Sequence, residues 1–340
     1  MICVARSSYS HAGSSTREDR YQSLSTVRMA TRDLAVGVII LIQTVVGILG
    51  NFCLLYHYLL LQFTGCRPRS TDLIVKNLIV GNILVLFSLG IYESMSSFAW
   101  YHIVSDFGCK FFLYVRGVGR GVSIGTTCLL SIFQAITISP RNSRWAALKG
   151  KAPKCIVPSI VLCWVIQILV NIMYPLFMTI TLKNKNITNR KSFGHCSSFC
   201  HEKNNDLLYV ALLSFPDVVY LGLMLSASSS MVFYLYRHKQ RVQHILRMNI
   251  SSSSPESTAT KTILLLVSTF VYFNTLSSIF RIILGIFDYL SWYILNASLI
   301  ITLCFPILSP FLLLSRDPRI SVVCFAWIRN VKSPHVMRNM

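Results

Sequence analysis

Seven long apolar runs separated by short polar stretches divide this chain. They lie near Leu34–Leu61, Leu73–Phe98, Phe111–Ile138, Ile156–Leu182, Leu207–Tyr236, Thr262–Phe287 and Ser291–Leu314. Each holds about the 20 residues that a helix needs to cross a ~30 Å hydrocarbon core. In lipid every backbone donor and acceptor must be satisfied within the segment, so each run is predicted to be helical. The pattern predicts an all-α membrane protein, a bundle of seven transmembrane helices spanning residues 34–314. Pro175, Pro216, Pro306 and Pro310 fall inside the runs and are expected as kinks within bundled helices. No fixed-period repeat and no matching pair of broken halves is visible.

The flanking segments are polar: an N-terminal tail over 1–33 and a C-terminal tail over 315–340. The first has no apolar core with a small-residue cleavage site, so no signal peptide is expected. Met29 opens MATRDLAVG directly against the first run, and residues 1–28 are expected to be an upstream extension.

Composition agrees with the pattern. The chain is 53% hydrophobic and 13% charged, with mean hydropathy +0.56, outside the range of a soluble domain. The net charge of +20 raises the question of nucleic acid. Its cations sit in short clusters between apolar runs, which makes the lipid bilayer the better partner and excludes nucleic acid.

Those clusters also orient the bundle. With the first run entering from outside, the inner loops hold Arg67, Arg69, Arg141, Arg144, Lys149, Lys151, Lys154, Arg237, Lys239, Arg241 and Arg247, and the tail holds Arg316, Arg319 and Arg329. The outer loops carry fewer cations. The bias predicts the N-terminus outside and the C-terminus inside. Asn186-Ile-Thr188, between runs 4 and 5, is then a lumenal glycosylation acceptor. Matching patterns at Asn249 and Asn296 fall in an inner loop and inside run 7, where they are expected to be silent. Cys109, at the outer start of run 3, and Cys196, in the outer loop with the sequon, face an oxidising compartment and are expected to form a disulfide. That leaves Cys200 either free or tied to Cys3.

Charges inside the runs are expensive in lipid and default to pairing or functional roles. Arg116 and Arg120 are four apart on one face of run 3, roughly 10 and 16 Å below Cys109 on a helical rise. Asp217 lies about 15 Å below Leu207 on the same rise. Arg120 and Asp217 therefore match in depth and are expected to pair or share a polar network, either as a structural ion pair or as a ligand contact. Glu93 and Arg281 fall near the outer ends of their runs, at a height shared by Tyr92, Trp100, Tyr101 and Tyr114. Two readings stand for this group: an interfacial belt with snorkelling charges, or the rim of a mostly apolar pocket with polar anchors. As a pocket, its arginines favour anionic or strongly polar groups on a small apolar ligand, such as a sulfated steroid.

Catalysis and metal chemistry find no support. The chain has no HExxH, no P-loop and no nucleophile elbow, so it is not read as an enzyme and no cofactor is expected. His195-Cys196 and Cys200-His201 form a symmetric cluster, but their spacing matches no standard zinc pattern.

Several strings carry a family resemblance. VGRGVSIGTTCLLSIFQAITISPRNSRWAALKGKAPK (118–154) resembles the third span and second inner loop of vomeronasal type-1 receptors. So do RHKQRVQHI (237–245), SPESTATKTILLLVSTFV (254–271), SFPDVVYLGLMLSASSSMVF (214–233) and CFPILSPFLLLSRDP (304–318), and the likeness runs from about Met29 to Trp327. It implies a G-protein-coupled receptor of the plasma membrane, answering pheromones through an inhibitory-type heterotrimeric G protein. Run 3 ends in Gln134-Ala-Ile-Thr-Ile-Ser139 rather than Asp/Glu-Arg-Tyr, and run 7 has CFPILSP in place of Asn-Pro-x-x-Tyr. These departures, with no lysine in run 7, argue against opsins and amine receptors. On the receptor reading Glu93, Arg116, Arg120, Asp217 and Arg281 are ligand-pocket candidates. Arg141, Arg144, Trp145, Arg237, Lys239 and Arg241 are candidates for docking the G protein, exposed when helices 5 and 6 shift. The competing class, a channel or transporter, needs a continuous polar path, a filter or broken-helix repeats, and none is evident.

Overall fold

The computed structural model describes residues 15–63, 69–97, 106–139, 146–172, 175, 178–180, 190–193, 196–199, 203–245, 255–286 and 292–315. Long helices dominate: α1 (Ser15–Phe63), α2 (Ser70–Ser97), α3 (Asp106–Ile138), the short α4 (Ala146–Lys149), α5 (Ala152–Asn171), α6 (Lys203–Ile245), α7 (Pro255–Ile286) and α8 (Trp292–Leu314). Among the described residues, six of them contain stretches long and apolar enough to cross a membrane: Leu34–Phe63, Ser70–Ser94, Lys110–Ile138, Ala152–Asn171, Ser214–Tyr234 and Tyr293–Leu314. The run expected as the sixth crossing forms α7, a helix of 32 residues.

Burial on α5 differs from that of a soluble helix on its outward face. Ile156, Ile160, Cys163, Gln167 and Asn171 face the bundle at helical spacing. Val157, Val161, Val165 and Leu169 point outward. An aliphatic outer face, with the polar Gln167 and Asn171 turned inward, is the arrangement that lipid selects.

Helix α3 is the axis, packed against α2, α5, α6 and α7, while α8 closes the ring against α1, α2 and α7. The α2–α3 crossing is close because glycines face each other. A Cβ on Gly81 would stand 3.0 Å from the Gly119 carbonyl oxygen and 3.0 Å from the Ser123 nitrogen. The apolar core below gathers Leu54, Ile74, Leu78, Ile79, Ile124, Met224 and Phe270, with Phe270 edge-on to Phe305 at 4.4 Å between ring centres.

The first crossing, expected near Leu34–Leu61, is the stretch Leu34–Phe63 of a longer helix that begins at Ser15, with no glycine or proline between Ser15 and Val36 to stop it. Two expectations need correction. Run 4, expected to continue as one kinked helix to Leu182, has α5 only as far as Asn171, and Met178–Ile180 within the same run is a strand. The following segment is not purely loop. Strands β1 (Met178–Ile180), β2 (Arg190–Phe193) and β3 (Cys196–Phe199) form an antiparallel sheet in the order β1-β3-β2, with Cys196 opposite both Ile180 and Phe193.

Candidate functional site

Arg120 sits mid-span on α3, where a guanidinium survives only with partners. Its Nη1 donates to Asp217 Oδ2 of α6 at 2.6 Å, and its Nη2 donates to Ser278 Oγ of α7 at 3.0 Å. Arg120 is 7% exposed and Asp217 5%. One charged group thus ties three helices. Opposite charges in contact offset much of each other's desolvation, and the serine occupies a further guanidinium donor. The pairing expected from depth alone is formed.

The other charges within the runs are placed less tightly. Arg116, one turn above Arg120, is half-buried and is the charged neighbour of the half-buried Glu93 on α2. Tyr92 on α2 lies beside Phe112 on α3, ring centres 6.1 Å apart. Arg281 lies on α7, but its side chain, like Trp100 and Tyr101, is outside the described residues. Cys109 lies on α3 and Cys196 on β3, joined through β1, which packs on α3. Their side chains are outside the described residues, as is Asn186.

A second polar network, which the hydrophobic pattern does not single out, lies deeper. Asn51 Nδ2 on α1 donates to the Gly47 carbonyl at 2.8 Å and to the Pro306 carbonyl at 2.9 Å. Asn82 Nδ2 on α2 donates to Ser309 Oγ on α8 at 2.8 Å and to Asn51 Oδ1 at 3.3 Å. Ser123 Oγ on α3 donates to Asn82 Oδ1 at 2.8 Å. Four helices meet here. The signal in the sequence is two asparagines within strongly apolar runs, where an amide without partners is costly.

Between the two networks, Ser277 on α7 and Thr302 on α8 share a hydroxyl hydrogen bond at 3.0 Å. They line a cavity of ≈ 20 Å³ with Arg120 and Ser123 among its walls. That volume admits about one water, far below the roughly 300–1,000 Å³ of a small-molecule pocket.

Arg237 is exposed on α6 with its guanidinium 5.2 Å from the centre of the Phe233 ring. Lys239 and Arg241 follow on the same helix with side chains outside the described residues, and Arg141, Arg144 and Trp145 lie outside them altogether. Among the described residues no His, Cys, Asp and Glu cluster could hold a metal ion.

Comparison with known proteins settles the family. The model of the vomeronasal organ pheromone receptor family matches residues 34–326. Vomeronasal type-1 receptor 4 of Homo sapiens is 53% identical over 302 residues, covering 88% of this chain and 100% of the relative. Vomeronasal type-1 receptor 2 of Homo sapiens is 51% identical over 88% of this chain and 76% of the relative. Olfactory receptor class A-like protein 1 of Danio rerio is 27% identical over 85% of this chain and 92% of its own. The chain belongs to the vomeronasal organ pheromone receptor family of type 1, multi-pass chemosensory receptors of the G-protein-coupled type in the plasma membrane.

Proposed function

We propose that this receptor binds a small pheromone from the outside and passes the signal to an inhibitory-type heterotrimeric G protein inside, across seven helices with the N-terminus outside. The observation that carries the proposal is the junction of Arg120, Asp217 and Ser278, where α3, α6 and α7 share one charged group. A ligand that competes for any member of it changes the relation among those three helices, and α6 and α7 are the ones whose inner ends flank the basic face. The ligand seats above this junction, toward Glu93 and Arg116, because the cavity beneath it is water-sized. An apolar body with an anionic group, such as a sulfated steroid, fits the arginines. Arg141, Arg144, Trp145, Arg237, Lys239 and Arg241 form the docking face, Cys109–Cys196 braces the outer end of α3, and Asn186 carries glycan.

The test is a screen of urinary and steroid compounds on cells expressing the receptor with a panel of G-protein activation sensors. Ligand-evoked activation of inhibitory-type α-subunits is expected, and current or uptake independent of any G protein would overturn it. Arg116→Ala is expected to weaken responses to sulfated steroids more than to their neutral parents. Equal effects on both would remove the anion preference.

A further inference from the structure

Pro306 and Pro310, four apart in α8, leave two carbonyls without their helical donors: those of Thr302 and Pro306. The second is accounted for by Asn51 Nδ2 at 2.9 Å. Among the described residues no side chain donates to the first. Thr302 and Pro306, the two ends of that missing bond, both line the ≈ 20 Å³ cavity between α2, α3, α7 and α8.

The chemistry of the walls can be counted. Thr302 Oγ1 donates its proton to the Ser298 carbonyl at 2.7 Å, so Ser277 is the donor in its bond to Thr302. Ser123 donates to Asn82 Oδ1, and Asn274 Nδ2 donates to the Phe270 carbonyl at 3.0 Å. The hydroxyl protons are committed, so the hydroxyls offer lone pairs inward, while the second amide N–H of Asn274 and the Arg120 guanidinium supply donors at the walls. A cation would sit against the guanidinium. An anion would sit against the lone pairs and the freed carbonyl. A neutral molecule that donates two hydrogen bonds, accepts others and needs about 10–15 Å³ fits both.

We infer that this cavity binds a single water molecule, which donates to the Thr302 carbonyl and joins α3 to α8 at the proline notch. The site stands independently of ligand identity and of G-protein coupling.

Thermal unfolding of the purified full-length receptor tests it by sign. Val85→Ile adds one methylene to the cavity wall and removes no polar group. Evicting a water whose partners then stay unpaired lowers Tm, by roughly 2–4 °C, whereas filling a dry void raises it. An unchanged or raised Tm overturns the inference. A loss from overpacking elsewhere is separated by repeating the change with Pro306→Ala, which restores the helical donor to the Thr302 carbonyl. The penalty is then expected to fall by at least half, and an undiminished penalty overturns the inference. Tm is also expected to be the same in sodium and choline chloride; stabilisation specific to sodium would assign the site to a cation instead. Should the variants not fold, a density map of the unaltered receptor fine enough to show ordered waters decides between a peak at the Thr302 carbonyl and an empty or ion-filled void.

Discussion

Arg120 is tolerated within the bilayer because Asp217 and Ser278 reach it from two other helices. Removing one partner leaves the other charge buried, at about 3–5 kcal/mol. Arg120→Met is therefore expected to abolish most surface expression, with Asp217→Asn close behind. The double exchange Arg120→Asp with Asp217→Arg should restore a measurable fraction, read by surface labelling of a tagged receptor; no recovery above either single variant would sink the pairing. Both charges are legible in the sequence because charge in an apolar run stands out and its depth follows from helical rise. Ser278 is not. Serines are frequent in these runs, and nothing in the pattern says which one faces a guanidinium.

Between elements, contact is decided by what is missing from a side chain as much as by what is present. Gly119 and Gly81 let α2 and α3 touch backbone to backbone, and a Cβ on Gly119 would come within 2.7 Å of Leu84 Cβ. Gly119→Ala is expected to destabilise by about 1–3 kcal/mol, since the obstacle is a neighbouring helix rather than a mobile side-chain end. Gly222→Ala on α6 meets nothing within 4 Å and should leave Tm unchanged, which makes it the control. The Asn51–Asn82–Ser309 network is expected to lose about 1–2 kcal/mol with Asn82→Leu, measured by the same unfolding assay. Helix existence is legible from the runs; helix ends and faces are less so. Run 4 looks continuous because Met178–Ile180 is as apolar as the helix before it, and hydropathy does not tell a strand from a helix there. Strands β2 and β3 escape because RKSF and CSSF carry no alternation of apolar and polar residues, and β1 because its three residues are absorbed into an apolar run.

For the molecule as a whole, the proposed topology puts Asn186 in the lumen and Asn249 in the cytosol. Deglycosylation is expected to shift the mobility of the wild type and not of Asn186→Gln, while a glycan on Asn249 would invert the topology. The Arg120–Asp217 pair also has a consequence in time. Its members are 97 residues apart in sequence, so at ~5–20 residues per second Arg120 is made about 5–20 s before its counter-ion. Through that interval the third crossing carries an uncompensated cation, and the membrane offers it nothing. Chains truncated before Asp217 are therefore expected to leave this crossing poorly integrated or held by the insertion machinery, as glycosylation mapping of stalled nascent chains would show. Extending the chain past α6 should release it, which makes the entry of one helix the condition for the settling of another.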